Sequence, residues 1–222
     1  TIIFITGTHY FIIPNHFDKA YELETELDRR KISKELEFVY VLPSNIKCIY
    51  IRQNQALGLG HAVLCAKPAV GNNPFAVILA DDMILSKNNG CLKQMAEKYI
   101  GLNSSIIAVE KVKKEHLHKY GIIQGSKINQ SDWELKNIVE KPKIKNAPSD
   151  MGVVGRYILN ASIFDILENT QKGAGEEIQL TDALASQITK EKVYAYEFEG
   201  KRFDCGNKLG FLKATIEYGL YH

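Results

Sequence analysis

The sequence predicts an α/β fold with a mixed, mostly parallel, doubly wound sheet in three αβα layers. Three observations carry that prediction. The first half alternates short apolar strands with helical stretches, the pattern of a parallel sheet wrapped by helices. The run Phe75-Ala76-Val77-Ile78-Leu79 is almost continuously apolar, as a strand covered on both faces must be. It ends in Ala80-Asp81-Asp82, which places two carboxylates at a strand's C-terminal end, where open α/β sheets bind ligands.

The elements follow in order. Strand 1–6 ends at Gly7. Pro14-Asn15 precedes a helix near 16–31, with Phe17, Ala20, Leu23 and Leu27 at helical spacing. Lys47-Cys48-Ile49-Tyr50-Ile51 is a short strand running into Gln53, and Gly58 and Gly60 open a helix that reaches Lys67. Pro68 and Gly71-Asn72-Asn73-Pro74 break the chain before strand 75–80. A helix near 90–100 and a strand from Ser105 to Val109 complete the alternating part. The second half reads as antiparallel or mixed. Gly121-Ile122-Ile123 is followed by a turn at Gly125-Ser126 and a strand from Trp133 to Val139. Met151 to Leu159 is a strand. Ser162 to Leu167 and Thr181 to Thr189 are helical. Val193 to Phe198 is a strand, and 207–220 closes as a helix.

Composition bounds the rest. The chain has 222 residues, 45% hydrophobic and 24% charged, enough for one large domain. A formal net charge of +2 demands neither a nucleic-acid nor a membrane partner. No apolar stretch approaches the roughly 20 residues of a membrane span. Cys48, Cys65, Cys91 and Cys205 form no Cys-x-x-Cys pair and read as buried, reduced thiols of a cytoplasmic protein. His116 and His118 lie among Lys113, Lys114 and Lys119, which would repel a cation, and read as surface residues.

Several constellations carry chemistry. Gly58 and Gly60 let the backbone approach a ligand, or simply start a helix. They are not a dinucleotide fingerprint, since Val63 holds the third glycine position. His61 beside them could touch phosphate or pack the helix. Asp81 and Asp82 are hard oxygen ligands suited to Mg2+ and the phosphates it carries. Adjacent residues on an extended chain point to opposite faces, so one of the pair binds metal while the other caps an element or faces solvent. Asp204, in Arg202-Phe203-Asp204-Cys205-Gly206, follows another aromatic-rich strand and supplies a second acid for the same ion. Glu140-Lys141-Pro142 ends a strand with one acceptor and one donor, the lysine able to bind phosphate as a point charge, or else is a solvated strand end. Gly175 to Asp182 is either a helix cap with its loop or a sugar-binding segment.

Taken in order, these segments resemble the bacterial UTP–glucose-1-phosphate uridylyltransferases. The matching pieces are Leu57-Gly58-Leu59-Gly60-His61-Ala62, Leu79-Ala80-Asp81-Asp82, Lys119-Tyr120-Gly121, Val139-Glu140-Lys141-Pro142, Val154-Gly155-Arg156-Tyr157, Glu177-Ile178-Gln179-Leu180-Thr181-Asp182-Ala183 and Arg202-Phe203-Asp204-Cys205-Gly206-Asn207. Singly each is weak. Together, in the family's order over nearly the whole chain, they are specific. The resemblance implies a Rossmann-like nucleotidyltransferase domain over 1–222, with a nucleotide half at 1–112 and a sugar half at 113–222. It implies Mg2+ as cofactor, UTP and glucose 1-phosphate as substrates, UDP-glucose as product, and a homo-oligomer of two or four copies. Carried over by position, Gln53 and Gly58 read the uracil. Asp81 and Asp204 ligate Mg2+. Gly121 lies against the sugar, Glu140 accepts from glucose hydroxyls, and Lys141 holds the sugar phosphate. Glu177 and Val154 line the sugar pocket. The sugar phosphate then attacks the α-phosphorus of UTP in line and pyrophosphate leaves. No general base is needed, because the attacking phosphate is already ionised.

The chain departs from the family at its start. The Gly-x-Gly-Thr-Arg loop and the Pro-Lys-Glu segment that follow the family's first strand have no counterpart here. The expectation is a chain that begins at the family's second strand, as a fragment. Thr8 to Ile13 is apolar and aromatic where the family is basic and polar. Two other functions stay open at this point: a non-catalytic module that binds a nucleotide sugar, and a related transferase using another nucleotide or sugar.

Overall fold

In the computed structural model the described residues are 1–7, 12–18, 20–30, 42, 43 and 45–221. Strands β1 (Ile2–Thr6) and β2 (Cys48–Arg52) form a parallel pair, with Ile2 opposite Cys48 and Thr6 opposite Arg52. The main sheet has six strands in the order β3 (Phe75–Ile78), β8 (Met151–Leu159), β5 (Ile106–Lys111), β9 (Tyr194–Glu197), β7 (Asp132–Glu140) and β6 (Gly121–Lys127). A third ladder pairs β4 (Asp82–Leu85) antiparallel with β10 (Lys201–Asp204).

The main sheet is mixed, but antiparallel ladders outnumber the parallel contact of β5 with β9. The cause is β8, which lies between β3 and β5 and runs against both. Strands β3, β5 and β9 still share one direction, as the alternation of strands and helices predicts.

Strand β5 shows how the sheet divides the core. Its side chains alternate between faces. Ile107 and Val109 enter one apolar cluster with Val63, Phe164, Leu167, Leu180 and Leu184, contributed by helices Leu59–Cys65, Ser162–Asn169 and Leu180–Ile188. Ile106 and Ala108 enter another with Cys91 and Met95 of helix Cys91–Leu102. Helices therefore cover both faces, the three-layer arrangement. Phe75 stacks on Phe164 at 4.8 Å between ring centroids, joining the β3 edge to the first cluster.

Some elements differ from the sequence reading. The helix predicted at 16–31 is two shorter ones, Ile12–Phe17 and Tyr21–Arg29. Its predicted end at Lys31, and Thr8 to Phe11, lie outside the described residues. The strand predicted at 75–80 stops at Ile78. The chain then turns, the Leu79 carbonyl accepting from the Asp82 N–H at 3.3 Å, and β4 begins. The turn predicted at Gly125-Ser126 is instead a slip in register within β6. The reversal comes at 128–131, where Asn129 Oδ1 accepts from the N–H groups of Ser131 and Asp132, each at 2.9 Å. All four cysteines are free thiols and only Cys91 is fully buried. Among the described residues no helix is long and apolar enough to cross a membrane.

Candidate active site

The two acids singled out by sequence meet where β4 and β10 pair. Asp204 is registered against Asp82, and the Cys205 N–H donates to the Asp81 carbonyl at 2.7 Å. A side-chain carbon added at Gly206 would lie 3.1 Å from Asp204 Oδ1 and 3.2 Å from Asp81 Oδ2. Both carboxylate oxygens therefore border one small space, which the absence of a side chain at Gly206 leaves open. Among the described residues no third His, Cys, Asp or Glu joins them. That donor set fits magnesium, which takes one or two carboxylates and fills its remaining positions with water and substrate phosphate oxygens.

The neighbouring acid has a different task. Asp82 is only 6% exposed. Its Oδ2 accepts from the Gly155 N–H at 2.6 Å, and its Oδ1 accepts from Arg202 Nε at 2.6 Å and pairs with Nη2 at 2.5 Å. Arg202 also donates to Glu110 Oε1 at 2.8 Å and to the Tyr120 hydroxyl at 3.2 Å, with its guanidinium 5.1 Å from the Tyr120 ring centroid. Burial works against the Arg202 charge, but Asp82 and these hydrogen bonds outweigh it and push its pKa up. The two adjacent acids thus differ in setting, Asp81 exposed in the turn and Asp82 first on β4, so the division expected from strand alternation arises from the turn instead. The second one neither caps an element nor faces solvent; it is buried in an ion pair.

At the far edge of the main sheet, Gly121 is registered against Glu140 across β6 and β7. A carbon added at Gly121 would lie 3.2 Å from Glu140 Oε2 and 3.3 Å from the Thr181 methyl. Thr181 Oγ1 donates to Glu140 Oε2 at 2.7 Å. Lys141 holds a left-handed backbone, φ 43°, with its N–H on the Tyr120 carbonyl at 3.0 Å and its ammonium 3.4 Å from Glu140 Oε1. A lysine at positive φ is uncommon, and such conformations cluster at functional sites. Burial and the nearby Glu140 push the Asp182 carboxyl above its ordinary value.

The glycine loop joins these parts. Gly58 has φ 93°, and a side-chain carbon there would lie 2.7 Å from Glu177 Cβ and 3.0 Å from the Ile178 carbonyl. The Gly60 N–H donates to the Ile178 carbonyl at 2.8 Å, and the Ile178 N–H donates to the Leu57 carbonyl at 2.7 Å. Two backbone hydrogen bonds therefore close Leu57–Gly60 against Glu177–Ile178, and glycine is required because the chains touch. Gln53, following β2, donates through Nε2 to the Gly58 carbonyl at 3.1 Å and lies 2.9 Å from His61 Nδ1.

Val154 does not join this group. It is 2% exposed and packs in the second core cluster with Cys91 and Met95, so its side chain faces the interior. Its strand neighbour Gly155 makes the polar contact, through its backbone to Asp82. His116 and His118 are exposed on a short 3-10 turn, as expected. Arg202, Tyr120 and Thr181 stand in the motifs read from sequence, but Arg202 and Tyr120 received no task there and Thr181 none beyond that of its segment. Arg202 carried a signal: it sits two residues before Asp204, and on a strand that spacing shares a face with a predicted acid.

The comparisons with known proteins agree with this geometry. The nucleotidyl transferase family model matches residues 1–219. The UTP–glucose-1-phosphate uridylyltransferase of Staphylococcus epidermidis is 45% identical over 219 residues, covering 99% of this chain and 76% of that protein. The enzyme of that name from Haemophilus ducreyi is 43% identical, covering all of this chain and 78% of that one. Among solved structures, UTP-bound UGPase from Acinetobacter baumannii superposes with TM-score 0.90 at 41% identity, over 99% of this chain and 77% of that one. A UDP-glucose pyrophosphorylase complexed with UDP-glucose gives TM-score 0.88 at 38% identity, over 99% and 81%. Motif order, a three-layer fold and paired strand-end carboxylates all converge on one assignment: this chain belongs to the nucleotidyl transferase family, among the UTP–glucose-1-phosphate uridylyltransferases.

Proposed function

We propose that this chain joins UTP to glucose 1-phosphate, giving UDP-glucose and pyrophosphate. The single observation that carries the proposal is the convergence of Asp81 and Asp204 on the open space at Gly206. These two residues would hold Mg2+, which, when bound, offsets the charge of the phosphates around it. Glu140, held by the Thr181 hydroxyl, accepts hydrogen bonds from glucose, and Gly121 gives the sugar room beside it. Lys141 holds the phosphate of glucose 1-phosphate. Gln53 and Gly58 read the uracil, and Glu177 stands between base loop and sugar pocket. The nucleotide side belongs to residues 1–112 and the sugar side to 113–222. A sugar-phosphate oxygen attacks the α-phosphorus, a P–O bond forms, and the bond to the leaving pyrophosphate breaks. The protein's residues place the two anions in line and screen their repulsion, which is the main demand of this chemistry.

The test is pyrophosphate release with UTP, glucose 1-phosphate and Mg2+, comparing the parent chain with Asp81→Asn. Asp81 is exposed, so the substitution should leave folding intact. Turnover should fall by about a hundredfold or more, the scale of losing a metal ligand at a charged transition state. Binding of UDP-glucose without pyrophosphate release from UTP, whichever hexose phosphate is supplied, would refute the transferase reading and leave a binding module.

A further inference from the structure

The Gln53 side chain can face a ligand in only one way. The Gly58 carbonyl can only accept, so the amide atom 3.1 Å from it is the NH2. The same nitrogen lies 2.9 Å from His61 Nδ1, and its second hydrogen needs a lone pair there. His61 is thereby fixed with its proton on Nε2. Both hydrogens of the Gln53 amide are now used inside the protein. Its only remaining polar atom is Oε1, an acceptor that carries no hydrogen bond among the described residues.

We infer that His61 is a positioning residue for base selection: by holding the Gln53 NH2 inward, it presents an oxygen to the nucleobase and so favours uracil over cytosine. This rests on the reading above that Gln53 faces the base. Uracil carries a hydrogen on N3, which Oε1 accepts. Cytosine has a lone pair at N3, which Oε1 repels, and a locked amide cannot turn its NH2 outward to compensate. His61 therefore acts through Gln53 and touches no reacting atom.

The experiment measures equilibrium binding of UTP and of CTP by calorimetry for the parent, Gln53→Ala, His61→Leu and His61→Asn, so that turnover is not needed. The parent should prefer UTP. His61→Leu removes the acceptor, and the UTP-to-CTP affinity ratio should fall about tenfold, the worth of one hydrogen bond. His61→Asn, which can place an acceptor near the Nδ1 position, should restore most of the ratio. Affinity for glucose 1-phosphate should stay unchanged in both His61 variants. A ratio that survives Gln53→Ala refutes the base-reading role of Gln53. A ratio that falls in Gln53→Ala but survives His61→Leu refutes the role of His61 alone. Equal weakening of UTP and CTP in His61→Leu shows a merely structural residue and overturns the inference. A 15N spectrum of the unsubstituted protein checks the lock without any variant: Nδ1 of His61 should be unprotonated, and a proton there overturns it.

Discussion

Arg202→Met is the most informative single perturbation of the site's scaffold. The guanidinium is 8% exposed and its partner carboxylate, on Asp82, is 7% exposed. Removing the arginine strands that carboxylate with one remaining donor, the Gly155 N–H. Removing one partner of a buried pair costs about 3–5 kcal/mol. In a chain of 222 residues, each kcal/mol moves Tm by about 2–4 °C, so Tm should fall by about 6–20 °C. The double variant Asp82→Asn with Arg202→Met removes both charges but keeps an oxygen for Gly155. It should be more stable than Arg202→Met alone, with a coupling of about 2 kcal/mol or more between the two sites. Thermal and urea unfolding of the four proteins give the cycle. Mg2+ affinity supplies the second readout, because Asp81 immediately precedes β4 and Asp204 ends β10. Mg2+ affinity by calorimetry should fall in Arg202→Met and recover in part in the double variant. A single variant within about 1 kcal/mol of the parent, or two effects that merely add, would refute the view that this pair holds the site's strands in register.

Other expectations concern individual positions. Gly206→Ala would put a methyl 3.1 Å from Asp204 Oδ1 and 3.2 Å from Asp81 Oδ2; Mg2+ affinity by calorimetry should fall about tenfold or more while the unfolding midpoint stays near the parent's. Gly58→Ala meets both a positive φ and the Glu177 side chain at 2.7 Å; urea unfolding should show a loss of about 1–3 kcal/mol, accompanied by weaker UTP binding. Asp182 has its pKa raised by burial and then by Glu140. The folded chain thus holds that proton more tightly than the unfolded one, and ionisation opposes folding as pH rises from the ordinary value near 3.8 through the raised one. Asp182→Asn should therefore be more stable than the parent near neutral pH, with the difference gone by about pH 3 in denaturation curves.

Strands whose apolar period matched their burial were legible in the sequence. Met151–Leu159 carries the bounds read from sequence, because eight of its nine residues are small, apolar or aromatic and it lies in the centre of the sheet. Its direction was not legible: hydrophobic pattern fixes which residues are buried, and an antiparallel strand between β3 and β5 has the same pattern as a parallel one. A division of Asp81 from Asp82 was expected from alternation, but the turn at 79–82 produces it, and the partner of Asp82 lies 120 residues away in sequence. Val154 shows the opposite failure. A family position pointed to the pocket, but its side chain packs inward, because on a strand covered by helices on both faces neither side is open. The β4 strand was missed since four residues following an acidic turn carry too little periodicity to read.

The geometry also bears on how the two substrates are brought together. The segments proposed to hold base and sugar, Leu57–Gly60 and Glu177–Ile178, are joined directly to each other. Leu57, Gly60 and Ile178 exchange two backbone hydrogen bonds, and Gly58 has no side chain to hold Glu177 away. On the metal side, Arg202 ties Asp82 to Tyr120, and the Tyr120 carbonyl in turn takes the Lys141 N–H. The proposed subsites are therefore linked to each other by hydrogen bonds within the protein itself. Reaction by in-line displacement needs the two phosphates within a narrow range of distance and angle, and a rigid frame supplies this before binding. If that is what the links do, weakening one should raise KM for both substrates together. Ile178→Pro removes the N–H that Leu57 accepts and leaves the Gly60 bond in place. It should raise KM for UTP and for glucose 1-phosphate alike, whereas two independent loops would transmit the change to one substrate only.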